Sequence, residues 1–308
     1  MNTVSPPIVR RHPLDNAYLL LTLTMLQWAG NAVAGRLAVG EISPMVLTTL
    51  RWTGAVLLMS LMARKQLRAD WPVLRSRLGY LILLGSMGFT VFNALFYVSA
   101  YSTTAVNIGI LQGSIPVFVL LGAYLCYRTR VSLLQAVGVA TTIVGVMLVA
   151  VRGELDRLLG LQFNPGDLLM VVACMFYAGY TVALRRRPQV AGLAMFAVMA
   201  AAALVAALPL LAIEIGLGHA VWPTPAGWAV LAYVTLFPSF LAQLCFLRSV
   251  QLIGPGRAGI FVNLVPIFAA TLGVLLLGEP FRWFHGLALA LVLGGLWLAE
   301  RRRLREGD

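Results

Sequence analysis

Charge is what this chain most lacks: 11% of its residues are Asp, Glu, Lys or Arg, against about 25% in an ordinary soluble protein. Acids are the scarcest, with Asp and Glu numbering 11 together, and none sits at the centre of an apolar run. Proton relays and carboxylate-based sodium sites normally need such groups, so ion coupling has weak support and facilitated diffusion down a substrate gradient stays open. Histidine is equally sparse, and His12, His219 and His285 lie in or beside connecting segments. There is no Asp-rich motif, no HExxH and no nucleophile with a plausible base, so the chain is not expected to be an enzyme or to hold a metal or cofactor. Cys126, Cys174 and Cys245 lie in or at the end of apolar runs without CxxC spacing. They read as small apolar residues rather than a disulfide or metal site.

What fills the chain instead is hydrocarbon: 60% of its 308 residues are hydrophobic. No soluble core of this size hides so much apolar surface, so the chain is expected to be dissolved in a lipid bilayer. Its formal charge of +12 would suggest nucleic acid if the basic residues formed one patch. They fall instead in short clusters between apolar runs, and no nucleic-acid partner is expected.

Runs of about 20 apolar residues predict ten membrane spans, at roughly 17–37, 44–63, 78–100, 103–126, 132–151, 166–184, 192–214, 226–249, 256–278 and 282–300. Pro44, Pro165, Pro188, Pro225 and Pro255 fall at or near predicted helix starts, where the missing N–H costs little. One side of the membrane receives Arg10 and Arg11, the cluster from Arg64 to Arg77, Arg128 and Arg130, Arg185 to Arg187, Arg248 and Arg257, and Arg301 to Arg305. The other receives Arg36, Arg152, Arg157 and Arg282. This one-sided alternation supports the span count and places both termini in the cytoplasm. Arg10-Arg11 before an apolar run also suits a secretory signal peptide, but the run is too long for one and its motif recurs in the sixth span. It reads as a retained helix.

The chain repeats itself at a separation of about 150 residues. Gly109-Ile110 matches Gly259-Ile260, Pro116-Val117-Phe118 matches Pro266-Ile267-Phe268, and Gly145 matches Gly295. Upstream, Asn93 faces Gln243, Phe96 faces Phe246, and Trp28-Ala29-Gly30-Asn31 sits against Tyr177-Ala178-Gly179-Tyr180. Five spans per copy is odd, so the second copy enters from the opposite side, giving inverted repeats as in transporters with a site between two halves. The expected fold is an all-α integral membrane protein of ten transmembrane helices as two inverted five-helix repeats. The expected organisation is a single membrane domain over 1–308, with repeat one at about 17–151, repeat two at about 166–300, and cytoplasmic tails 1–16 and 301–308.

Polar groups inside spans should face the bundle or a wet cavity rather than lipid. Helical spacing gathers Phe92, Asn93, Phe96 and Tyr97 on one face of the third span, and Ser239, Gln243 and Phe246 on its counterpart. Gln27 and Asn31 share a stripe of the first span with Trp28 beside it, and the sixth span offers Tyr177 and Tyr180. Gln112 and Asn263 add amides in the fourth and ninth. Such a mixture suits an amphiphilic small molecule with a flat apolar body. Gln27, Trp28, Asn31, Asn93, Phe96, Tyr97, Gln112, Tyr177, Tyr180, Gln243, Phe246 and Asn263 are therefore the candidate substrate-binding residues. The competing reading is that amides merely bond across helix interfaces and that Tyr18, Tyr80 and Tyr101 are interfacial anchors.

Pro116 and Pro266, inside spans at matched positions, read as static kinks or a paired gating hinge, and the Gly109…Gly113 GxxxG as a packing feature. Arg51 is the one charge deep in an apolar run. It is expected to bind backbone carbonyls, to snorkel outward, or to attract an anionic group. Glu214 and Glu279, at span ends, are expected to face the interface.

Trp28-Ala29-Gly30-Asn31, Pro44 with Arg51, Gly109…Pro116 with its second copy Gly259…Pro266, and Leu277-Gly278-Glu279-Pro280 resemble the EamA family of the drug/metabolite transporter superfamily. The likeness runs from about Tyr18 to Glu300, and within the family the chain is similar to the YddG-type exporters of aromatic and other neutral amino acids. The first copy departs from the pattern, with Tyr127-Arg128-Thr129-Arg130 where the second has the Gly-Glu turn. The resemblance implies an alternating-access exporter of amino acids or related metabolites in a bacterial inner membrane, expected as a monomer whose partners are its substrate and the bilayer. A multidrug or cationic-metabolite exporter of the same fold is the alternative, and a non-transporting assembly factor a more distant one.

Overall fold

The computed structural model describes residues 16–129, 132–154, 156 and 163–305, with backbone alone at 255, 256 and 300–305. The expectations for Arg10, Arg11, Arg130 and Arg157, and for the side chains of Arg301 to Arg305, fall outside the described residues. Eleven long helices follow in order: α1 Ala17–Leu37, α2 Pro44–Met62, α3 Arg64–Ser76, α4 Leu78–Ser99, α5 Ala105–Tyr127, α6 Leu133–Ala150, α7 Pro165–Arg186, α8 Gly192–Gly216, α9 Pro225–Ile253, α10 Arg257–Leu277 and α11 Trp283–Arg305. Eight of them are long and apolar enough to cross a membrane by length and composition. α1 has the length, at 21 residues, with its hydropathy diluted by Gln27 and Asn31. α11 contributes the apolar stretch Trp283–Ala299. With those two the count is the expected ten.

The starts of these helices are written locally. Pro44, Pro165 and Pro225 are first helical residues, where proline loses no bond. Side chains of Asn16, Thr104, Asn164 and Thr224 accept from N–H groups of the first turn, and Ser132 with Gln135 forms a capping box before α6.

α3 was not expected, because Arg64 to Arg77 reads as a polar connection. Its apolar residues recur on one stripe: Leu74 is fully buried, Leu67 packs against the same cluster, and Trp71 and Val73 are exposed. That pattern is the one interfacial helices show. It has no counterpart in the second copy.

Leaving α3 aside, the helices pair as an inverted repeat requires. The equivalent helices α2 and α8, α5 and α10, and α6 and α11 pack on each other, while α1 packs on α9 and α10 as α7 packs on α4 and α5. One end of the bundle carries Arg64 to Arg77 and Arg185 to Arg187 and is called the arginine-rich face. The other carries Glu41, Glu214 and Glu279 and is called the Glu279 face. The GxxxG of α5 is a contact: a methyl at Gly109 would collide with Ala269 of α10, and one at Gly113 with Val292 of α11.

Each copy breaks its helical ladder at the same places. A π-helical stretch runs over Ser86–Val91 in α4 and over Thr235–Leu241 in α9. α5 turns at Gly113-Ser114 and restarts at Ile115, and α10 tightens over Phe261–Leu264 and restarts at Val265. Pro116 and Pro266 are the second residues of these restarts. They lose no hydrogen bond there, so the irregularity precedes each proline instead of being a kink in a continuous helix.

The two ends of the bundle differ. On the Glu279 face α5 is buried throughout Ala105–Leu111, and Gly109 touches α10. At the equivalent start of α10, on the arginine-rich face, Gly254 and Gly259 have nothing within 4 Å where a methyl would stand, and Ile260 is exposed. α5 and α10 are in contact at the Glu279 face, while at the arginine-rich face the start of α10 has an open flank beside the buried Ala258.

Candidate functional site

Arg51 lies seven residues into α2, about 10 Å along the helix axis from its first residue, and is 5% exposed. Its Nε donates to Ser239 Oγ at 2.6 Å. Its Nη1 donates to Asn93 Oδ1 at 2.7 Å, to Tyr97 Oη at 2.5 Å and, at 3.3 Å, to Asn31 Oδ1. The Tyr97 hydroxyl donates in turn to Asn31 Oδ1 at 3.0 Å. Neither expected structural role holds: the guanidinium neither binds backbone carbonyls nor reaches outward, and it is held by neutral side-chain oxygens. Ser239 also donates to Val234 O at 2.6 Å, across the π-helical stretch of α9, so Arg51 ties the first copy to the irregular turn of the second. The equivalent hydroxyl, Thr90 in the π stretch of α4, donates to Ala203 O of α8. The links are matched in place and unmatched in chemistry, because only one contains a charge.

The expected residues divide into three groups. Asn31, Asn93 and Tyr97 converge on Arg51. Trp28, Phe246, Gln27 and Gln243 lie one to two turns nearer the arginine-rich face and are half-buried. There Trp28 Nε1 donates to Pro238 O at 3.2 Å, and its ring sits 5.4 Å from Phe246. Gln27 donates to Leu23 O, while its Oε1 is buried without a partner among the described residues.

Tyr177 and Tyr180 form the third group, an aromatic run in which Phe92, Tyr177, Tyr180, Phe89 and Trp52 follow one another at centroid distances of 4.8–5.5 Å. Its last member, Trp52, has its ring 5.4 Å from the Arg51 guanidinium carbon.

Three residues stand apart. Phe96 is 1% exposed and packs edge-on against Tyr97, which makes it core. Gln112 folds back to Ile108 O of its own helix at 3.3 Å. Asn263 lies half-buried in the tightened turn of α10.

The acids do work that spacing alone did not reveal. Glu214 and Glu279 do not simply face the interface. Glu214 accepts from Ser43 Oγ and from the N–H groups of Met45 and Val46, capping α2. Glu279 accepts from the N–H groups of Ala105 and Val106, capping α5, with Arg36 3.8 Å away. A carboxylate suits a helix N-terminus because it meets unpaired N–H groups and the positive end of the dipole. Asp70, within α3, does the same at the other face by accepting from Ala191 N at 2.9 Å. The acid in the last turn of α8 thus caps α2, and an acid of α3, the helix that follows α2, caps the start of α8.

Asp167 is fully buried in the first turn of α7 and accepts from Thr103 and Asn107. It borders a polar basin of about 420 Å³ on the Glu279 face, lined by Arg36, Thr103, Asn107, Arg152 and His285. Its signal in the sequence is a carboxylate just inside the start of an apolar run.

An all-helical membrane protein built as two inverted halves around a shared buried polar cluster is, as a class, a transporter and not an enzyme. The chain belongs to the EamA-like transporter family, whose pattern matches residues 15–151 and again 164–300. Over 286 residues it is 25% identical to YetK of Bacillus subtilis, an uncharacterized transporter, covering 92% of this chain and 86% of that one. It is also 25% identical over 306 residues to the S-adenosylmethionine/S-adenosylhomocysteine transporter of Chlamydia muridarum, covering 94% and 93%. A solved crystal structure shares the fold with a TM-score of 0.63 at 21% identity, over 94% of this chain and 98% of that one.

Proposed function

We propose that this transporter exports aromatic or other neutral amino acids and related metabolites by alternating access. It would sit in a bacterial inner membrane with both termini in the cytoplasm. One observation carries the reading: a half-buried set of amides and rings (Gln27, Trp28, Gln243, Phe246) leads from the arginine-rich face to the Arg51 cluster where the two copies meet. Rings offer a face to a flat apolar body, and the amides supply a few oriented hydrogen bonds. The arginine-rich face is cytoplasmic by the positive-inside rule. The open flank of α10 at Gly259 and Ile260 then supports a state facing the cytoplasm, and the restarts before Pro116 and Pro266 are the points about which these helices would swing.

The named relative supports a second substrate class within the same reading. S-adenosylmethionine and S-adenosylhomocysteine each join an amino-acid group to a flat base, which the same row of rings would accept. A cationic drug that carries no carboxylate fits less well, since an unneutralised arginine at the end of the row repels it. The test is flux in reconstituted vesicles over a panel of neutral amino acids and these two nucleosides, with and without a pH gradient. Gln243→Ala is expected to cut flux about tenfold with the fold intact, and Asn93→Ala at least as much. Unimpaired flux in both variants would sink the site.

A further inference from the structure

The buried cation of this site has no counter-ion among the described residues. Arg51 is the one charge placed deep inside an apolar span, and none of its hydrogen bonds goes to a carboxylate. Burying a cation costs several kcal/mol unless charge and hydrogen bonds compensate it, and here only neutral oxygens do so. The guanidinium has five N–H donors. Nε and Nη1 are engaged, while Nη2 has no acceptor among the described residues.

Beside it, Trp52, with its ring 5.4 Å from the guanidinium carbon, has its indole Nε1 buried without an acceptor. The Tyr97 ring flanks the guanidinium at 5.9 Å. The locus keeps unused donors, the Nη2 and indole N–H groups, beside a charge that no carboxylate among the described residues neutralises. Net positive charge with unused N–H groups calls for an acceptor that is an anion, and a planar guanidinium edge matches a carboxylate with two parallel bonds.

We infer that Arg51 is the anchor for a carboxylate on the transported molecule. The inference rests on the proposed transport function and narrows its substrate class to amphiphiles that combine an apolar or aromatic body with a carboxylate. Asn31, Asn93 and Tyr97 hold the guanidinium from the first copy and Ser239 holds it from the second. An arriving carboxylate takes up Nη2 and competes for Nε, so loading bears directly on the link between Arg51 and the π stretch of α9.

Two readouts on the purified full-length protein separate this inference from the transport reading. In thermal melts, 3-phenylpropionate should stabilise the protein and the isosteric neutral 3-phenylpropionamide should not, with apparent affinities at least about tenfold apart. Arg51→Gln should erase that difference, and Arg51→Lys should keep part of it. In vesicles, L-tryptophan should outpace L-tryptophanamide by a similar factor. Equal stabilisation by acid and amide, or an acid preference that survives in Arg51→Gln, overturns the carboxylate anchor. If Arg51→Gln fails to fold, the acid-to-amide comparison in the natural protein and in Arg51→Lys decides. Flux of acid and amide at equal rates also overturns the anchor, whereas absence of flux alongside an Arg51-dependent melt sinks the transport reading alone.

Discussion

Single residues carry the polar logic of this protein, and the buried acid shows it as clearly as the buried base. Asp167 has no exposed surface, and its oxygens take the Thr103 hydroxyl and the Asn107 amide. These partners sit at the start of α5 and in the turn before it, so Asp167 fastens α7 of the second copy to the first copy at the Glu279 face. Removing the acceptor leaves two buried donors unsatisfied, at about 1–3 kcal/mol. Asp167→Ala should lower the melting temperature, and Asp167→Asn, which keeps one acceptor, should lower it less. Equal melting of both variants and the natural protein would show that these contacts are not made. Arg51 and Asp167 were each readable as oddities, a charge within or just inside an apolar run. Their partners lie 20–188 and 60–64 residues away respectively, and no local spacing reports a contact across that distance.

At the scale of elements, hydropathy reports which helices touch lipid and is silent about other helices. It therefore gave the spans and missed α3, whose polar face outweighs its apolar stripe in any running average. It also missed the π-helical stretches, since one extra residue per turn leaves composition unchanged. The stretch in α9 contains Pro238, while the stretch in α4 has Phe89 at the same place and forms without a proline. In α4 the stretch is closely packed, because Gly88 lets the Tyr180 ring of α7 lie directly on the helix. Gly88→Ala must push that ring aside and should destabilise the protein by about 1–3 kcal/mol. Gly79 has open space around it in the same helix, so Gly79→Ala should stabilise slightly through helix propensity. A thermal melt of the pair checks the claim, and a Gly88→Ala as stable as the natural protein would contradict the packing.

Across the whole molecule the duplication was the most legible feature, and it places every pair of packed spans. Repeats alone do not say which of the two conformations a pair occupies, because the matched glycines and prolines serve both. Side chains break the symmetry. Glu279 caps α5 on one face, whereas Arg128 and Thr129 stand at the corresponding positions in the first copy. Gly278 adopts positive φ in the second copy as Arg128 does in the first, so the backbone turn is conserved between the halves although the capping acid is not. The Glu279 face thus has a carboxylate cap on α5 that the equivalent loop of the first copy cannot supply. On the proposed alternating-access reading, the arginine-rich face is the one open at rest, and it closes when the protein is loaded.

That central claim is tested most directly by distances between spin labels in the full-length protein in vesicles. One pair of labels replaces Tyr101 and Phe281, which are exposed near the Glu279-face ends of α4 and α10, and the other replaces Arg128 and Arg257 at the arginine-rich face. Cys126, Cys174 and Cys245 are first changed to serine. With transported substrate added, the Arg128–Arg257 distance should shorten while the Tyr101–Phe281 distance lengthens. Two distances that stay fixed, or that move together, would contradict alternating access between the inverted halves.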